Sequence, residues 1–248
     1  MSITLYSFLL TFIAGFSTMI GTILIFFKEK TNRVVVASLS FASGVMLTVS
    51  ILDLIPEAIT LLNYKSIIEI LIITVFMVLG ALLTRKIDKC MPEVDNNSKK
   101  GLYRVGIISM FAIIMHNIPE GIATFMTTST NLSLGLSLTI AIALHNIPEG
   151  ISIAVPIYYS TGNRKKALFY TFVSAISEPF GALLAFIFLK PFMNNLVMGL
   201  LMAMIAGIMS YISFFELLPK SLNYKNKSLS YIFFVIGIIF MAINHFLF

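Results

Sequence analysis

Apolar residues in this chain come in long runs, without the alternation of a half-buried strand or the single stripe of a surface helix. Eight runs reach about 20 residues or more, enough for a helix to cross a hydrocarbon layer of roughly 30 Å. They cover about 4–27, 34–62, 66–84, 104–127, 132–159, 167–189, 194–218 and 229–247. The second and fifth are long enough to tilt or bend. The pattern predicts an all-α polytopic membrane protein: eight transmembrane helices in a single transmembrane domain over 1–248, with no soluble domain left over. The longest connection, about 85–103, contains Pro92, Asp95, Asn96, Asn97, Ser98 and Gly101 and reads as a flexible polar loop. No Lys or Arg precedes the first run and no small-residue cleavage site stands out, so it reads as a retained span.

Composition agrees. Hydrophobic residues make up 58% and charged residues 11%, against a usual charged share of roughly a quarter, which excludes a soluble domain. A net charge of +6 raises the question of nucleic acid, but the basic residues lie in short loops and form no single patch, so no nucleic-acid partner is expected. Their placement tests the span count, because Lys and Arg accumulate on the cytoplasmic side. If the chain starts outside, the inner loops hold Lys28, Lys30 and Arg33; Arg85, Lys86, Lys89, Lys99, Lys100 and Arg104; Arg164, Lys165 and Lys166; and Lys220, Lys225 and Lys227. That is 15 of 17, with only Lys65 and Lys190 outside. The pattern places a multi-pass protein in the cell membrane with both termini outside the cytoplasm. Without Trp, the interfacial belt falls to Tyr6, Tyr64, Tyr103, Tyr158, Tyr159, Tyr224 and Tyr231 near the span ends. A lone cysteine, Cys90, excludes an internal disulfide and a Cys-x-x-Cys site.

Ionisable residues inside a span are costly and point to function. Here they are Asp53 and Glu57 in span 2, His116 and Glu120 in span 4, His145 and Glu149 in span 5, Glu178 in span 6 and Glu216 in span 7. All are acids or histidines, with no intramembrane Lys or Arg to neutralise them, so the balancing charge must be protons or a cation that comes and goes. At their centre is a duplicated hexapeptide, His116-Asn117-Ile118-Pro119-Glu120-Gly121 and His145-Asn146-Ile147-Pro148-Glu149-Gly150. His and Glu at i and i+4 share a helix face, and each proline removes a backbone donor and should kink its helix. The short charge-free link of about 128–131 makes spans 4 and 5 antiparallel neighbours, so two His, two Glu and two Asn can meet in one pocket, enough for two adjacent divalent ions.

Glu178 precedes a mid-span proline and reads as a metal ligand, against the alternative of an ordinary satisfied carboxyl. Asp53 and Glu57 are either interfacial or at an entrance. Glu216 is either a boundary carboxylate or an exit residue. His245, with no partner nearby in sequence, reads as interfacial. Asp-Leu-Ile-Pro in span 2 and Glu-Leu-Leu-Pro in span 7 suggest that spans 1–3 and 6–8 form an inverted repeat around the central pair, a 3+2+3 arrangement.

With these residues the chain resembles the ZIP family of divalent metal transporters, and among them the bacterial broad-specificity zinc and iron uptake members. The resemblance covers essentially the whole chain: eight spans, both ends outside, a basic variable loop and the paired His-Asn-x-Pro-Glu-Gly motifs. It implies uptake of Zn²⁺ or related ions into the cytoplasm through a two-metal site at mid-membrane. On that resemblance His116, Glu120, His145 and Glu149 form the primary metal site. Asn117 and Asn146, with Glu178 and the shared Glu120 and Glu149, form the second. Met46 adds a thioether and Asp53 falls at an entrance position. The loop 85–103 departs from the His-rich loop of many members in having no His, and many members carry His in place of Asp53.

The donor set is consistent with this. Imidazole, carboxylate and amide without thiolate suit Zn²⁺, Fe²⁺, Mn²⁺, Co²⁺ and Cd²⁺ over Cu⁺, and paired imidazoles disfavour Ca²⁺ and Mg²⁺. The expected partners are the lipid bilayer, the transported divalent ions and a second copy in a homodimer, with no prosthetic cofactor. An intramembrane metallo-enzyme is disfavoured: His-Glu-x-x-His is absent, and a ferritin-like di-metal site would need Glu-x-x-His. A proton-coupled antiporter or channel is the remaining alternative.

Overall fold

The computed structural model describes residues 2–27, 32–62, 67–90, 98–189 and 194–247. Lys28, Lys30, Tyr64, Lys65, Lys190 and the loop positions Pro92, Asp95, Asn96 and Asn97 lie outside the described residues. All regular structure among the described residues is helical, and eight helices are long and apolar enough to cross a membrane. They are α1 Ile3–Phe26, α2 Asn32–Leu61, α3 Ile67–Cys90, α4 Lys99–Thr130, α5 Leu132–Thr161, α6 Arg164–Phe188, α7 Asn195–Leu222 and α8 Lys227–Leu247.

Helices outrun their apolar stretches where polar groups can anchor the extra turns. The expected loop of 85–103 is shorter than its sequence suggests, because α3 continues to Cys90 and α4 already begins at Lys99. Across the join, the Arg104 guanidinium pairs with the Asp88 carboxylate and donates to the Asp88 carbonyl at 2.9 Å. Ser98 caps α4 by accepting from the Gly101 amide, and Asn131 caps α5 by accepting from Ser133 and Leu134, which satisfies backbone donors exposed at a helix start. Gly162, in the left-handed region at φ 69°, ends α5. Helical structure continues through Pro119 and Pro148, each of which deprives the carbonyl four residues earlier of its helical donor.

Helices α2, α4 and α5 bury most of their length, while α3 and α8 bury about a fifth or less and present rows of Ile, Leu and Val to the outside. Polar, hydrogen-bonded faces such as Ser40 with Ser230 and Ser43 with Ser213 lie inside the bundle. In water this distribution would be inverted; in lipid it costs nothing. Tyr158, expected in the interfacial belt, is buried in the last turn of α5, where its ring faces the Arg164 guanidinium at 5.8 Å.

Glycines set how closely the inner helices approach. Gly121 of α4 lies against the backbone of Glu178 in α6, and Gly150 of α5 lies against the backbone of Thr18 in α1. These contacts come in pairs with constant sequence spacing. Gly181 meets Ile118 where Gly21 meets Ile147, and Gly44 meets Phe234 where Gly207 meets Met77. The spacing is 160 residues from α1 to α6, 163 from α2 to α7, 157 from α3 to α8 and 29 from α4 to α5. The expected 3+2+3 inverted repeat is thus written in the packing, with α4 and α5 exchanging under the same operation. The Asp-Leu-Ile-Pro and Glu-Leu-Leu-Pro segments obey the 163 spacing, and each overlaps a widened π-helical turn, at Ser50–Leu54 and Ile212–Leu217.

A methyl group at Gly121 would overlap the Glu178 carbonyl, whereas one at Gly162 would meet no atom within 4 Å. Gly121→Ala is therefore expected to destabilise the folded protein by at least the ~1–3 kcal/mol typical of overpacking. Gly162→Asn, compatible with a left-handed backbone, should melt close to the parent. Thermal unfolding in detergent, followed by size-exclusion chromatography, measures both; equal melting of the two variants would contradict the close packing of α4 on α6.

Candidate metal centre

Antiparallel packing of α4 and α5 brings the two hexapeptides together at mid-bundle. His116, Asn117, Glu120, His145, Asn146 and Glu149 are all buried, as is Glu178 on the neighbouring α6. His145 Nε2 lies 2.8 Å from Glu120 Oε1, a hydrogen bond between the two copies. His116 Nε2 stands farther off, 3.4 Å from Glu120 Oε2 and 3.5 Å from Glu149 Oε1. Two ligands of one tetrahedral ion, each about 2.0–2.2 Å from it, are about 3.3–3.5 Å apart. The longer pair thus matches an edge of a coordination tetrahedron better than a hydrogen bond. One ligand atom from each of His116, His145 and Glu149 lies within 4.8 Å of the others.

The two asparagines are held by backbone. Asn117 Nδ2 donates to the Ser174 carbonyl at 3.4 Å, and Asn146 Nδ2 donates to the Ala14 carbonyl at 3.0 Å. Ser174 and Ala14 are equivalent under the repeat, so both amides are oriented by the same device. With Nδ2 turned to backbone, each Oδ1 is left as an acceptor without a donor among the described residues. Asn146 Nδ2 also donates to Glu178 Oε2 at 2.8 Å. The position equivalent to Glu178 is Thr18, whose buried Oγ1 likewise has no partner among the described residues. The second half of the site is consequently lopsided, with a carboxylate from α6 opposite a hydroxyl from α1.

The remaining donor capacity is large. His116 Nδ1 and Nε2, His145 Nδ1, Asn117 Oδ1, Asn146 Oδ1, Glu120 Oε2, both Glu149 oxygens and Glu178 Oε1 are buried without a hydrogen-bond partner among the described residues. Leaving one such group unmet costs about 1–3 kcal/mol, and more for a charged one. A divalent cation answers that cost directly, since it accepts imidazole, carboxylate and amide oxygen together.

A cavity of about 700 Å³ leads from His116, Glu120 and His145 to the face where α2 and α8 end, where Asp53, Glu57, Asn194, Asn195, Asn244 and His245 line its mouth. The structure thus brings Asp53 and Glu57 to the lining of this cavity. His245, expected to be interfacial and alone, instead places Nδ1 2.6 Å from Asp53 Oδ1. Nothing local in the sequence signals this contact across 192 residues. Met46 is fully buried in the apolar core and does not line this cavity, whereas Met126, Met198, Met202 and Met241 do. Glu216 is buried towards the opposite face, beside Asp88, whose carboxylate also pairs with Arg104 and accepts from the Tyr211 hydroxyl at 3.4 Å.

A family profile described as ZIP zinc transporter matches residues 92–245. Among similar proteins are the zinc transporter ZupT of Clostridium perfringens, 38% identical over all of this chain and 98% of its own length, and that of Streptococcus mutans, 39% identical over 98% and 97%. The ZupT of Akkermansia muciniphila is 40% identical over 95% of each chain. With relatives this similar along their full length and the profile covering more than half of the residues, the chain belongs to the ZIP family of zinc transporters.

Proposed function

We propose that this protein carries Zn²⁺, and with the same donors Fe²⁺, Mn²⁺, Co²⁺ and Cd²⁺, across the cell membrane into the cytoplasm through a two-ion site on α4, α5 and α6. The observation that carries the proposal is the buried set of imidazoles and carboxylates at tetrahedral-edge spacing, with no cationic side chain between them. His116, Glu120, His145 and Glu149 hold the first ion. Asn117, Asn146 and Glu178, sharing Glu120 and Glu149, hold the second. Zinc as principal cargo is supported by the names of the relatives. The same family membership supports a transporter and not an enzyme.

Sharing two carboxylates between two ions spreads their charge, so each ion is held loosely enough to move on. The cavity supports access from the face carrying both termini, which the distribution of Lys and Arg assigns to the outside. Glu216 and Asp88 then stand on the exit side.

Glu149→Ala and Glu120→Ala should each reduce Zn²⁺ uptake in proteoliposomes to background; Glu149→Ala should retain folded protein, because both Glu149 oxygens are buried without a hydrogen-bond partner among the described residues and removing them relieves desolvation and repulsion, whereas Glu120→Ala also removes the hydrogen bond with His145. Asn117→Ala and Asn146→Ala should be milder and change the preference among Zn²⁺, Fe²⁺, Mn²⁺ and Cd²⁺. Near-parental Zn²⁺ uptake by a correctly inserted Glu149→Ala would end the two-ion proposal.

Protons compete with metal for the imidazoles, so apparent Zn²⁺ affinity should weaken as pH falls below about 6.5, the ordinary imidazole range. Equilibrium titration of the purified protein between neutral and mildly acid pH measures this, and a flat affinity would contradict it.

Cys90 is exposed at the end of α3, on the face opposite the cavity mouth. In intact cells it should react with a membrane-permeant thiol reagent and resist an impermeant one. Labelling by the impermeant reagent in sealed cells would reverse the orientation.

A further inference from the structure

Nine threonines are buried among the described residues. Eight of them donate the hydroxyl to the carbonyl three or four residues earlier in their own helix, at 2.7–3.1 Å. This is the local bond that a helix offers a threonine removed from water. Thr18 is the ninth. It is fully buried, and its Oγ1 has no hydrogen-bond partner among the described residues.

The local acceptor is already taken. Four residues before Thr18 is Ala14, whose carbonyl accepts from Ser17 Oγ at 2.6 Å and from Asn146 Nδ2 at 3.0 Å. At Thr18 itself α1 tightens from α-helical to 3₁₀ turns, and its backbone lies against Gly150, the neighbour of Glu149 in the second hexapeptide. A hydroxyl with unused lone pairs is thus buried beside the metal centre.

Position in the repeat is a second, independent observation. At the 160-residue spacing from α1 to α6, Thr18 is the counterpart of Glu178, as Ala14 is of Ser174. In one half Asn146 Nδ2 bridges the Ala14 carbonyl and Glu178 Oε2. In the other half Asn117 Nδ2 reaches the Ser174 carbonyl at 3.4 Å, and Thr18 holds the place of the carboxylate.

We propose that Thr18 Oγ1 is a ligand of the second ion, a neutral oxygen donor opposite the Glu178 carboxylate. The assignment rests on the two-ion site proposed above. The number of charged ligands sets how tightly a site of oxygen donors holds a cation. Two divalent ions bring four positive charges to the three carboxylates of Glu120, Glu149 and Glu178. A fourth carboxylate at position 18 would balance the loaded centre and retain both ions. A hydroxyl coordinates without adding charge, so the centre loads a second ion and still releases it.

Two substitutions separate ligation from packing: Thr18→Val keeps the branched shape without the hydroxyl, and Thr18→Ser keeps the hydroxyl without the methyl. Thr18→Val replaces an unpaired buried hydroxyl by a methyl group and should melt no lower than the parent. Thr18→Ala, smaller than the native residue, supplies a second variant without the hydroxyl. Full-length protein in nanodiscs is titrated with Zn²⁺, with Glu178→Ala in parallel. The parent should bind two ions per chain and Glu178→Ala one. Thr18→Val and Thr18→Ala should bind the first ion as the parent does and the second about tenfold more weakly, a loss of ~1.4 kcal/mol, while Thr18→Ser stays near the parent for both. If Thr18→Val binds both ions like the parent while Glu178→Ala loses one, the two-ion site stands and Thr18 is not its ligand. Weaker binding by Thr18→Ser and not by Thr18→Val assigns Thr18 to packing and also overturns the proposal. If the parent and Glu178→Ala bind the same number of ions, the two-ion site itself fails, and the ligand assignment fails with it.

Discussion

Negative charge gathered in a low-dielectric interior must be balanced, and this chain supplies no Lys or Arg at mid-membrane to do it. Three carboxylates and two imidazoles sit among apolar helices with much of their donor capacity unspent. Such an arrangement is stable when something positive occupies it, a metal ion or a set of protons, and each can displace the other. A permanent Lys or Arg partner would balance the site and also close it. The absence of that partner is what would leave the proposed site free to exchange its occupant.

The surrounding scaffold answers to this constraint. Donors from α4, α5 and α6 converge only if those helices and α1 approach more closely than side chains normally allow, and Gly121, Gly150, Gly21 and Gly181 permit it. The hexapeptide therefore combines chemistry with clearance: its His, Asn and Glu provide donors, and its final glycine admits the neighbouring backbone. Asparagine amides tied to the Ser174 and Ala14 carbonyls fix the donors without neutralising them. Apolar surface carries little information by comparison, since lipid solvates it.

Much of this was legible in the sequence because membrane physics leaves coarse marks. Span count followed from run length and was checked by the side on which Lys and Arg fall. The buried centre followed from a motif repeated at a constant interval, with Glu178 found by its place before a proline. What stayed hidden depended on tertiary contact. His245 looked solitary because its partner, Asp53, is nearly the whole chain away. Met46 has a side chain compatible with a site and Tyr158 one compatible with an interface, and only packing shows that both are buried. The turns at 85–90 and 99–103 looked like loop because charge ends an apolar run without ending a helix, and Arg104 with Asp88 can hold those turns in place.

The inverted repeat is a symmetry of backbone that its own charges break. Under the spacings that superpose glycine on glycine, Lys220 falls on Glu57, Arg104 on Ser133, Arg164 on Thr4 and Asp88 on His245. Two halves of opposite orientation present equivalent ends to opposite faces of the membrane, yet only one face favours cationic loops. The scaffold is symmetric and the electrolyte on it is antisymmetric. Any pair of shapes that the halves interchange will thus differ in energy once a membrane potential is applied, because each charge that moves across the field contributes about 2.3 kcal/mol per 100 mV. Direction in such a molecule need not be built into the fold; the residues at its rims can impose it.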